Sequence, residues 1–134
     1  MGYTLTECLE GEYPVELPEG WKETFQQMCD LLDRLLHNFG GASDDITFLQ
    51  VKEKFGQMRV YTDFSEVLPM DLVTHCEEII RDACSKTAKT CCKCGNRAGY
   101  NSTGWIYPLC ENCAVQIAKE RFLSFENSFK KISH

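Results

Sequence analysis

Histidine is scarce in this chain, three in 134 residues, and proline is held to four. So few histidines leave little room for a His-rich metal site or for general-base chemistry. His37 and His75 fall in helical stretches among charged residues and His134 comes last, so no Cys–His nucleophile is expected. No run of about 18 apolar residues exists, which argues against a transmembrane helix. The start, MGYTLTECLEGEYP, lacks the basic and apolar parts of a secretory signal. A cytoplasmic location is therefore expected, where thiols stay reduced. Internal repeats, low-complexity tracts, phosphate-binding glycine loops and paired catalytic carboxylates are also missing, and the chain is expected not to be an enzyme. Its length suffices for one domain with a small appended module.

What the chain does have is cysteine, nine in all, and an uneven charge. Net charge is −6, but residues 1–50 hold ten acids and two bases, and residues 51–134 hold ten acids and twelve bases. The first part is thus −8 and the rest +2. No acid lies between Asp82 and Glu111, whereas Lys86, Lys89, Lys93 and Arg97 all do.

Residues 1–20 are acidic and carry the breakers Pro14, Pro18 and Gly20; they read as an extended arm with a short strand at its start. Trp21, Phe25, Met28, Leu32, Leu35 and Phe39 recur at steps of four and three, widened by Leu31 and Leu36, which predicts a core-facing helix ended by Gly40-Gly41. Ile46–Val51 and Met58–Thr62 predict a β-hairpin with a positive φ at Gly56. Leu49, Val51, Met58 and Val60 would face inward. Pro69 begins a second helix to about Lys86, with Leu72, Val73, Cys76, Ile79, Ile80 and Ala83 as its buried face. After Glu111, the seam Val115-Ala118-Phe122-Phe125-Phe129-Ile132 predicts a third helix running to the end.

Five cysteines crowd residues 91–113, CCKCGNRAGYNSTGWIYPLCENC. Cys91 and Cys94 form one C-x2-C pair, Cys110 and Cys113 another, with fifteen residues between them. That spacing suits a tetrahedral zinc site, because a two-residue spacer lets one tight turn aim both sulfurs at one ion. Gly95 can supply the left-handed φ of such a knuckle. Four cysteine ligands close the coordination shell, so the Zn2+ is expected to be structural, and Cys92 is the spare. Cys76 and Cys84 read as core thiols, Cys29 as a neighbour of the first helical stripe, and Cys8 as a surface thiol. The string His75-Cys76-Glu77 superficially matches part of the zinc-deaminase signature, but the required proline is missing and one C-x2-C pair would have no role.

The predicted fold is α+β: a helix, a β-hairpin, a helix, then a four-cysteine zinc ribbon leading into a C-terminal helix. Residues 1–20 would be the acidic arm, 21–88 the α/β-hairpin core, and 89–134 the ribbon with its helix, packed together as one unit.

In order, Gly20-Trp21 before a Leu-rich helix, QVKEKFGQMRVY at 50–61, and the ribbon with Gly104-Trp105 inside it form a pattern. It resembles a family of small phage, prophage and bacterial accessory proteins, with a V-K-E-K-F-G-x-L-R-F-Y hairpin and a C-x-x-C-G…G-W…L-C-x-x-C ribbon. The resemblance spans roughly residues 20–113, with Met58 and Val60 replacing the family's Leu and Phe. It implies a genomic setting and no assigned activity. Accessory proteins in such settings often act by binding, as immunity proteins or inhibitors.

Three functions follow as expectations. The first is an immunity protein or inhibitor of a toxin or defence complex. Its partner would be a basic protein met by Glu7, Glu10, Glu12, Glu16, Glu19, Asp30, Asp33, Asp44 and Asp45. The second is nucleic-acid binding through Lys86, Lys89, Lys93, Arg97 and Trp105, with Tyr100 and Tyr107 as further stacking faces. The third is an adaptor that dimerises through the C-terminal helix.

Overall fold

The first long helix owes its position to a strip of apolar side chains one helical repeat apart. In the computed structural model, which describes residues 2–133, a 3-10 turn (Glu19–Trp21) leads into a helix at Lys22–Asn38. Phe25, Met28, Cys29, Leu32 and Leu36 are buried along it. Leu31 and Phe39, expected on the same stripe, are exposed: Leu31 lies on its flank, and Phe39 falls past the last helical residue. There Gly40 takes φ +80°, and the amides of Gly40 and Gly41 return to the carbonyls of His37 and Leu36. This is the glycine-terminated end that the sequence suggests.

The segment expected as an extended arm is more ordered than that. A two-residue strand, β1 (Tyr3–Thr4), does begin it and pairs antiparallel with the hairpin. A helix then follows, α1 (Leu5–Leu9), so the lysine-led helix above is α2. Thr4 and Glu7 form a reciprocal capping box at the start of α1. Leu5 and Cys8 are fully buried, so Cys8 is a core thiol and not a surface one. Amphipathic order in five residues is too short to show as periodicity.

The hairpin comprises β2 (Ile46–Lys54) and β3 (Gln57–Phe64), giving a sheet ordered β1-β2-β3. Its turn puts Phe55 at φ 54° and Gly56 at φ 79°, the double positive φ that matches strand twist. Ile46, Phe48, Val51 and Met58 face the core. Leu49 does not: pairing shifts between Phe48 and Gln50, and this bulge turns Leu49 outward. Helix α3 (Met70–Thr87), with Pro69 at its N-cap, packs against α2 and β3 and buries Leu72, Cys76, Ile80 and Ala83.

The C-terminal third forms a second sheet, ordered β5-β4-β6: β4 (Tyr100–Ser102), β5 (Pro108–Leu109) and β6 (Phe129–Lys131). Between β5 and β6 lie α4 (Glu111–Glu120) and the short α5 (Phe125–Ser128). The single long helix expected after Glu111 does not form: α4 stops at Glu120, and the last described element is the strand β6. Phe122 is at φ 53° and almost wholly exposed, while Leu123 N–H bonds back to the Ala118 carbonyl. Phe125 and Phe129 leave the predicted seam to pack with each other, and Phe125 also meets Tyr100 at a ring distance of 5.0 Å.

Two cores result, a large one under the first sheet and a small one under the second, and Cys92 packs against both. They are joined at Gly20-Trp21. The buried Trp21 indole N–H donates to the Thr90 carbonyl at 2.9 Å, and the Gly20 amide donates to the Cys92 carbonyl at 2.9 Å. A Cβ on Gly20 would collide with the backbone of Cys91, Cys92 and Gly95. Gly20→Ala is thus expected to destabilise the fold by about 1–3 kcal/mol through overpacking. Gly99→Ala, where a Cβ would meet nothing within 4 Å, should stay near wild type. Chemical denaturation of the two variants checks this.

Candidate metal centre and its surroundings

Two tight structures bring the paired cysteines together. The first is the 91–95 turn: Gly95 N–H donates to the Cys91 carbonyl at 3.0 Å, with Gly95 at φ 84°. The second is the start of α4, where Cys110 is the N-cap and its sulfur accepts from Cys113 N–H at 3.4 Å. A helix start offers free amides, which suit a thiolate. The sulfurs of Cys91, Cys94, Cys110 and Cys113 all lie within 4.8 Å of one another, and those of Cys94 and Cys110 are 3.6 Å apart. A tetrahedral zinc with Zn–S of about 2.3 Å sets its sulfurs roughly 3.8 Å apart, so the cluster has the right size.

Electrostatics also favour a cation. Burial opposes a Cys91 thiolate, but backbone hydrogen bonds from Cys110, Cys94 and Lys93 prevail and bring it down to about 7. Cys113 is pushed up, by burial first and then by hydrogen bonds with the other three sulfurs. Four thiols this close cannot all ionise unaided, and a bound dication lifts that restriction. Cys92 stands apart from the cluster. Burial pushes its thiol up to about 11, and its backbone does the structural work, with N–H donated to the Pro108 carbonyl at 2.9 Å. This is a zinc-ribbon-like, four-cysteine centre.

One carboxylate ties the hairpin to the ribbon. Glu53 accepts from the Gly56 amide at 2.8 Å through one oxygen and from the Trp105 indole N–H at 3.0 Å through the other. Gly56 is buried against Ile106 and Pro108. Nothing local in the sequence singles out Glu53, although it sits within the V-K-E-K-F-G string. Its helper role depends on a residue 52 positions away, which no local pattern reveals.

The other candidate residues separate into groups. Lys86, Lys89 and Arg97 gather with Thr90 and Gly95 around a hollow of about 400 Å³, whereas Lys93 and Trp105 line a different one of about 520 Å³. Trp105 is 65% exposed and so does not pack beneath the ribbon. Of the acids, several are engaged locally. Glu7 caps α1, Asp44 accepts from Thr6 at 2.6 Å, Asp45 accepts from the Ala42 amide at 2.8 Å, and Glu19 pairs with Lys22 at 2.6 Å. Asp33 accepts from Ser43 and meets His37, and Asp30 accepts from Gln26. Glu10, Glu12 and Glu16 are exposed.

Comparison of the chain with protein-family models, with curated proteins and with solved structures finds no match. Among the described residues no helix is long and apolar enough to cross a membrane.

Removing the Glu53 carboxylate frees both the turn amide and the indole. Glu53→Ala is expected to lower stability by about 1 kcal/mol, as for a partly exposed hydrogen bond to a charged group. It should also increase solvent quenching of tryptophan emission, since Trp21 is fully buried and Trp105 would be the responding ring.

Proposed function

We propose that the chain is a non-catalytic zinc protein that acts by binding a partner protein. The observation that carries the first half is the four-sulfur cluster, in which both C-x2-C pairs, the knuckle glycine and the α4 cap bring four sulfurs within 4.8 Å of one another. With four thiolate ligands the ion has no open position for substrate, so its role is to fold the ribbon. The small core it braces (Cys91, Leu109, Ala114, Ala118 and Phe129) buries few side chains, too few to hold such a module by apolar burial alone.

The partner-binding half is supported by what the folded chain leaves outside. Phe55, Trp105, Ile106, Tyr107, Phe122 and Leu123 are exposed together with an acidic N-terminal part. Large exposed apolar side chains of this density are typical of interaction surfaces. The resemblance to phage and accessory proteins favours an immunity protein or inhibitor as the form this binding takes, with a basic toxin or defence complex as partner. Nucleic-acid binding is the second reading, supported by the hollow that Lys86, Lys89 and Arg97 share. It would show as oligonucleotide affinity falling steeply with salt. An adaptor dimerising through the C-terminal helix would have only α4 to use, since that helix ends at Glu120 and the expected seam is not one continuous helix.

Cys94→Ser and Cys110→Ser should each lose stoichiometric zinc and expose apolar surface, because site formation is coupled to folding. Cys92→Ala should keep one zinc per chain. Metal analysis by mass spectrometry with dye binding separates these outcomes; a Cys94→Ser chain that keeps its fold and stability without zinc would refute the structural role. For the partner, affinity capture from host cells should recover one reproducible protein. Recovery of nucleic acid alone would overturn the protein-binding reading.

A further inference from the structure

The hairpin tip and the ribbon meet in a face that the zinc site does not use. Two hollows share Trp105 as a common wall. The larger, about 520 Å³, has Leu109, Ile117 and Phe129 among its lining and Lys93 and Arg121 as its cations. The other, about 510 Å³, lies between Phe55 and Ile106 and carries Lys52 and Lys54. Four cations therefore surround an apolar double groove in a protein whose net charge is −6. The acid lining it is Glu53, and both its oxygens are already committed to Gly56 and Trp105.

Backbone strain marks the same face. Phe55 and Phe122 are the described non-glycine residues with positive φ, at 54° and 53°, and they are 71% and 96% exposed. A left-handed conformation costs an L residue about 1–2 kcal/mol, and neither ring recovers that by burial in its own chain. Phe55 lines the second hollow, and Phe122 sits between Arg121 and Leu123, which line the first. Both rings are displayed at a cost to the fold.

From this we infer that the Phe55–Trp105–Leu123 face takes an extended segment of a partner protein, one whose apolar side chains are flanked by Asp or Glu. Its apolar side chains would enter the two hollows, against Leu109, Ile117 and Phe129 in one and against Ile106 in the other. Its carboxylates would meet Lys52, Lys54, Lys93 and Arg121. A single strand of nucleic acid would use the same cations and stack on the Trp105, Tyr107 and Phe55 rings, but Leu109, Ile117, Leu123 and Ile106 line the hollows between those rings with branched aliphatic surface, which suits branched side chains better than bases. The inference rests on the partner-binding role and names the chemistry of that partner.

Panning the zinc-loaded full chain against a displayed random peptide library tests it. Enriched peptides should combine Phe, Leu or Ile with Asp or Glu. Synthesised with a fluorescent label, they should bind Trp105→Ala and a Lys52→Glu/Arg121→Glu double variant about tenfold more weakly or worse. Arg81→Glu, on α3 and outside both hollows, should bind as wild type does. All variants should first be shown to keep one zinc per chain and native circular dichroism. Enrichment of basic peptides, absence of enrichment, or tighter binding of oligothymidylate at this face would each overturn the inference. If panning fails while the tagged chain still captures its partner, this surface is refuted and the partner-binding role stands. Loss of both refutes both.

Discussion

The contact on which the rest of the structure depends is the meeting of Gly20-Trp21 with the 91–95 turn. It lies where the first long helix begins and where the first pair of clustered cysteines is held. The Gly20 amide and the Trp21 indole both donate to carbonyls of the knuckle region, and both bonds are 2.9 Å long. Trp21 is also part of the large core. Burying a side chain of that size contributes about 2–3 kcal/mol, and its indole N–H would cost much of that back if unpaired. The Thr90 carbonyl therefore has to be in place for Trp21 to be buried well. The ribbon's position and the core's packing are one constraint seen from two sides.

That coupling explains the distribution of glycine and cysteine. Gly20 and Gly95 face each other so closely that a Cβ on either would press on the other's backbone. Cys92, the sulfur without a metal role, sits in the seam and touches both cores. Its carbonyl and amide bind Gly20 and Pro108. Glu53 adds a second tie from the hairpin tip, so the ribbon is held at its knuckle and at its Gly104-Trp105 loop. A module with so small a core gains its rigidity from these attachments together with the sulfur cluster.

Much of this was legible in the sequence where the signal is local and periodic. The C-x2-C spacings, the α2 stripe, the Pro69 helix start and Gly56 all place residues by near-neighbour geometry. The losses have physical causes of their own. Helix α1 is five residues long, and only the Thr4-x-x-Glu7 capping box announces it. Leu49 points outward because one bulged residue reverses the alternation. The end of α4 is the most instructive case. Helices α2 and α4 finish with the same pair of returning hydrogen bonds, but α2 uses Gly40 at the left-handed position and α4 uses Phe122. A glycine stop is visible in a sequence; a phenylalanine in that place reads as one more step of a helical seam. The tertiary pairing of β6 with β4 favours the break, and that pairing lies outside any sequence window.

Charge and apolar surface divide differently in the fold than in the chain. The −8 of the first fifty residues looks like a single docking surface in sequence, yet Glu7, Asp33, Asp44 and Asp45 are bound up in caps and turns. Such carboxylates still contribute to the long-range field, which acts over about 8 Å at physiological salt, but they are not free to form new short contacts. The hairpin tip and ribbon show the reverse: Phe55 and Trp105 stay largely exposed, and the cations around them are spread over three separate stretches of sequence. On the proposed partner-binding role, a field that steers and a face that grips would belong to different parts of one small molecule. A partner engaging both would need the opposite polarity, basic toward α1 and α2 and acidic with apolar side chains toward the ribbon. That two-part requirement is more selective than either surface alone, because a partner matching only one of them would forgo either the steering or the grip.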